Sequence, residues 1–210
     1  MGLSIGAVLI RQSDHTLNHA QLVKDLFGTG YNEIPERDLG QLPATKRFDT
    51  RNDNCLSVYI FENYIALVNS AFTAKFYQPG SATIQKVYQY FKQASQIFAF
   101  EHYSSGDTYS YAIIERGQLI RWVRQTSDQL HPATYGQPLN FELKILGAKK
   151  TRMRDVHGQL HTYYTHPDNN SLFPEDQLTE VLLREVMHHE TGLWPNGLYD
   201  AAAKRLYFMK

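Results

Sequence analysis

The sequence predicts an α+β fold: a mostly antiparallel sheet of β-hairpins with about three helices packed against it. Three observations predict it. Short apolar runs end at turn-forming Gly, Asn and Asp residues. Apolar residues recur at helical spacing in three other segments. Aromatic side chains are abundant, with 14 Tyr and 11 Phe, which suit pleated, half-buried surfaces.

The elements follow in order. Residues 3–10, an apolar run between Gly2 and Arg11, form the first strand. Ser13 or Asp14 then offers a helix cap, and Leu17, Ala20, Leu22, Val23, Leu26 and Phe27 mark one side of a helix that ends at Gly28. Residues 28–55, polar and interrupted by Pro35 and Pro43, read as a long loop with a helical turn at 35–39. Residues 56–61 and 64–68 form a hairpin around Glu62-Asn63. Ser81 caps a second helix, over 80–94, with Ile84, Val87, Tyr88 and Phe91 at helical spacing. A three-stranded meander occupies 97–103, 108–114 and 118–124. Residues 126–138 are loop, and 141–146 read as a strand or edge piece. A third hairpin covers 150–165, turning at Val156-His157-Gly158. The last helix begins at Pro174 and ends at Gly192, and the tail around Leu198-Tyr199 and 205–208 reads as a short final hairpin.

Composition narrows the function. Lys+Arg and Asp+Glu are both 21, so the net charge is zero. That argues against a non-specific nucleic-acid binder, which neutralises phosphates with a basic excess, and leaves room only for a locally basic groove. Near-neutrality gives little colloidal repulsion and so favours a homo-oligomer. The one cysteine, Cys55, has no partner for an internal disulfide. The N-terminal apolar run lacks the basic start and small-residue cleavage site of a signal peptide. No apolar run approaches the ~20 residues that span a bilayer. The expectation is a cytoplasmic chain with no membrane contact, folded as a single domain over 1–210 with its weakest seam near 126–147.

The chemistry-bearing candidates are few. Glu185 and His189, four apart on the last helix, have a spacing that can ligate zinc. The plainer reading is a helix end where histidine favours the negative dipole. His15 and His19 repeat that spacing at the first helix. Glu101 and His102, followed by Ser104, Ser105 and Asp107, hold the residue types of a serine-nucleophile triad without a Gly-x-Ser-x-Gly elbow. Arg121 lies on the neighbouring strand between apolar residues, and a charge there is expected on the solvent face. Phosphate-cradling signatures are absent, because Gly28-Thr29-Gly30 follows a helix and lacks the P-loop lysine. No cofactor is implied.

Several stretches resemble a family of bacterial proteins of unknown function. They are Glu101-His102-Tyr103 through 109–115, Gly117 to Arg121, and Gly136, Pro138, Leu139, Phe141 and Glu142. The same turn and strand signatures are similar to those of bacterial immunity-type proteins. The resemblance carries no catalytic role. The leading expectation is a non-catalytic intracellular binding protein with a protein partner, of immunity type in one version. The alternative is a small hydrolase or metal-dependent enzyme using Glu101/His102 or Glu185/His189.

Overall fold

A computed structural model describes residues 4–12, 17–43, 46–92, 94–129, 131–154 and 156–210. Its centre is a nine-stranded antiparallel sheet in the order β2-β12-β3-β4-β1-β5-β6-β7-β8. The central strands are β1 (Ser4–Arg11), β3 (Cys55–Ile60), β4 (Tyr64–Val68), β5 (Gln96–Tyr103), β6 (Thr108–Glu115) and β7 (Gln118–Gln125). The edges are β2 (Asn32–Ile34), β8 (Ala133–Tyr135) and β12 (Lys204–Met209). The expected hairpin and meander pair as the sequence indicates. The β6–β7 turn needs left-handed backbone at both Arg116 (φ 49°) and Gly117 (φ 77°). Gly117 also lies under the Tyr88 ring, where a Cβ would collide at 2.8 Å.

Central strands are buried on both faces, so they read as continuous apolar runs rather than alternating ones. One face packs against α1 (His19–Phe27), α2 (Ser70–Thr73) and α3 (Ala82–Tyr90), through Leu22, Phe72, Ile84 and Val87. The other packs against α5 (Leu178–Thr191), through Leu182, Leu183, Val186 and Met187. β5 shows the division: Ile97 and Ala99 join the first core, while Phe98 and Phe100 join the second.

A separate three-stranded sheet, in the order β11-β10-β9, is built from β9 (Lys150–Arg154), β10 (Leu160–Thr165) and β11 (Leu172–Pro174). Only Tyr164 and Phe173 of this sheet are anchored in the core, with rings stacked 5.6 Å apart.

The structure corrects five local expectations. The helices outnumber the expected three, because α2, α4 (Asn140–Leu146) and α6 (Leu198–Ala201) are short additions. Residues 141–146 are the helix α4, not a strand: Glu142 reaches back to accept from the Leu139 N–H at 2.9 Å and so satisfies the helix start. The tail is no hairpin, since β12 instead pairs with β3 and β2 across the chain. Asn18 caps α1 by accepting from the Gln21 N–H at 3.0 Å, whereas Ser13 and Asp14 lie outside the described residues. Ser81 sits at the start of α3 but makes no side-chain cap bond.

Candidate functional site

Glu101 and His102 are neighbours on β5, so they face opposite sides of the sheet and cannot act together. Glu101 is on the α1–α3 side. It accepts from the Ser110 hydroxyl at 2.8 Å, and Arg124 stands 3.7 Å away. Tyr77 lies 2.8 Å from the same Ser110 oxygen. Burial pushes the Glu101 carboxyl above its ordinary range, partly opposed by Ser110 and Arg124.

His102 is on the α5 side, with Nε2 3.3 Å from Glu180. Tyr109, its direct cross-strand partner, stands edge-on at 5.1 Å and lines the same cleft as Glu180. The His102 hydrogen bond holds the Glu180 carboxyl below the usual range. Burial and the nearby carboxylates push the Tyr109 phenol up to about 12. Glu180 stands between two shallow clefts. One, of about 240 Å³, includes Asp107, Tyr109 and Gln125; the other, of about 130 Å³, includes His102 and Arg184.

Arg121 does not face solvent: it is 3% exposed and paired with fully buried Glu142. Its Nε donates to both carboxylate oxygens, at 3.0 and 3.2 Å. Its Nη1 donates to the Tyr135 and Gly136 carbonyls, and the Tyr111 hydroxyl donates to Glu142. The node ties β6, β7, β8 and α4 together and leaves no guanidinium face open for a substrate. Sequence reasoning missed it because the partner, Glu142, lay in a segment read as strand.

The Glu185/His189 pair also separates. Glu185 stands 3.5 Å from His166, while His189 pairs with Glu190 at 3.0 Å and stacks on Phe141. His19 is half-buried and its pKa is lowered by that burial, with Lys204 as the next cause. His15 lies outside the described residues. Among the described residues no three His, Cys, Asp or Glu side chains are grouped as a metal site would need. The histidine–carboxylate pairs of α5, with Thr179 donating to Gln125 at 2.6 Å, fasten this helix to its surroundings.

The remaining surface feature lies on the small sheet. Of seven large apolar side chains exposed among the described residues, Met153, Val156, Leu160 and Leu172 belong to this sheet or its turn. Leu143 on α4 precedes it in the chain. Met153 lies opposite His161, and Leu172 opposite Thr165, on the outward face. Tyr164 and Phe173 point inward. Leu160, 55% exposed, lies on the inward-pointing side but at the far end, beyond the core, next to the turn with Val156 at 95%. β9 is an edge strand, so one line of its backbone groups is unpaired by any strand. From Leu143 to Arg154 the sequence has five basic residues, Lys144, Lys149, Lys150, Arg152 and Arg154, and no acidic one.

Comparisons with protein-family models, curated proteins and solved structures find no match to this chain. Among the described residues no helix is long and apolar enough to cross a membrane.

Proposed function

We propose that this chain is a non-catalytic binding protein that uses the exposed apolar side chains and free edge of its small sheet to hold an acidic partner protein. One observation carries the reading: exposed apolar residues collect on the same small sheet as residues 149–154, four of which are basic and none acidic, in a chain of zero net charge. Clustered exposed apolar residues mark interaction surfaces, and a basic rim selects and steers an acidic partner. The unpaired β9 edge adds a place for strand addition. In the immunity-type version, the bound partner is a toxin held inactive. The resemblance to bacterial proteins of unknown function is compatible with this and adds no role.

The test compares the wild-type chain with Met153→Glu/Leu160→Glu as bait in native extracts, alongside sedimentation of each alone. A partner retained in stoichiometric amount by wild type, lost in the variant at unchanged Tm, and released by salt is the expected result. Equal retention by both overturns the reading. Retention of nucleic acid in place of protein, or a wild-type dimer that the variant breaks, replaces the partner.

A second reading, an acid–base enzyme such as a small hydrolase, is favoured by His102, Tyr109 and Glu180 meeting beside two clefts. Hydrolysis of model esters by the wild type that His102→Gln abolishes would establish it.

A further inference from the structure

On the opposite side of the large sheet, the ends of α1 and α2 and the start of α3 enclose a cleft of about 310 Å³. Its apolar wall is aromatic. Phe27 stands edge-on to Tyr31 at 5.9 Å and lies 4.4 Å from Phe72, and all three line the cleft. Phe27 and Tyr31 are only partly buried, so ring surface remains open.

The rim carries three lysines, Lys75, Lys86 and Lys210, against a single carboxylate, Asp53. None of the three has a carboxylate within 4.0 Å among the described residues. Lys210 stands 4.8 Å above the Tyr31 ring, and Lys86 reaches the Leu26 carbonyl at 3.4 Å. That second contact offsets the negative end of α1, which would otherwise repel an anion. Lys75 makes no hydrogen bond or ion pair among the described residues. Thr83, in the first turn of α3, lines the cleft, and no side chain caps that helix start. The positive end of α3 therefore adds to the lysines.

An excess of positive groups beside an open aromatic wall fits a ligand that joins a flat ring to a phosphate. The volume is at the small end of the roughly 300–1,000 Å³ typical of ligand pockets. We propose that this cleft binds a small aromatic phosphate of mononucleotide size, its ring on Phe27 and Tyr31 and its phosphate on Lys75 and Lys86. The site shares no residue with the small sheet, so it stands or falls independently of the binding reading above.

The experiment is calorimetric titration of the full chain with adenosine monophosphate, free phosphotyrosine, adenosine and inorganic phosphate, each alone. At least one of the two aromatic phosphates is expected to bind with Kd below about 1 mM, and which one identifies the source of the ring. Adenosine and inorganic phosphate should each bind at least about tenfold more weakly, because each keeps only half of the recognition. Lys75→Gln/Lys86→Gln should raise Kd roughly 10- to 100-fold. Lys75→Gln alone, which breaks no hydrogen bond or ion pair among the described residues, should shift it in the same direction. The proposal is overturned if neither aromatic phosphate binds, if inorganic phosphate or adenosine binds as tightly as the better of them, or if Lys75→Gln leaves Kd unchanged.

Discussion

The two sheets of this protein use the same strand chemistry for opposite ends. The large sheet is covered on both faces, and the side chains of Arg121, Glu101 and His102 buried in it each meet a named partner: Arg121 meets Glu142, Glu101 meets Ser110, and His102 meets Glu180. The small sheet buries little beyond Tyr164 and Phe173 and leaves Met153, Leu160 and Leu172 in water. The lesson is that suspicious-looking charge in the first sheet holds elements together, whereas unremarkable apolar residues in the second are the ones with no structural employment.

Mutations can break this contrast in decreasing steps. Arg121→Ala should destabilise by about 3–5 kcal/mol, because it strands a carboxylate that has no exposure. Denaturant unfolding measures it, and Arg121→Met/Glu142→Leu should recover most of the loss. A cost under about 1 kcal/mol for Arg121→Ala would show that Glu142 finds water or another donor.

Asn18→Ala should cost about 1 kcal/mol through loss of the α1 cap, while Ser81→Ala should cost nearly nothing. Equal losses in thermal melts would mean that the two helix starts are held alike.

Two carboxylates on opposite faces of the large sheet should differ in sign with pH rather than in size. Glu101 has a raised folded pKa, so its contribution favours folding below the unfolded value near 4.5 and is lost as pH rises toward the folded one. Glu180 has a lowered folded pKa, so its contribution is present above the unfolded value and is lost as pH falls through the folded one. Tm profiles should therefore show Glu101→Gln gaining on wild type above pH 5 and Glu180→Gln losing there. The same direction for both would refute the assignment of their surroundings.

The smallest stability effect belongs to the small sheet. Met153→Glu/Leu160→Glu should stay within about 0.5 kcal/mol of wild type, since neither side chain packs in a core. A larger loss would return these residues to a structural role.

Much of the fold was legible in the chain. The three hairpins, the apolar runs, the helices ending at Gly28 and Gly192 and the single cysteine all follow from local chemistry, since turn geometry and helix caps are decided within a few residues. Near-neutral charge likewise set the terms on which any basic surface had to be local. Tertiary structure alone decided the rest. Which way Arg121 faces depended on Glu142, 21 residues away, and on a bulge at Ile120 between β6 and β7. Whether Glu101 and His102 act together was settled by the pleat once both faces proved buried. The pairing of β12 with β3 brought the last strand to one more than a hundred residues earlier, and the three lysines of the α1–α3 cleft come from three separate stretches of chain. Local sequence fixes the geometry of an element; burial and long-range pairing, which depend on every other element, decide what its side chains meet.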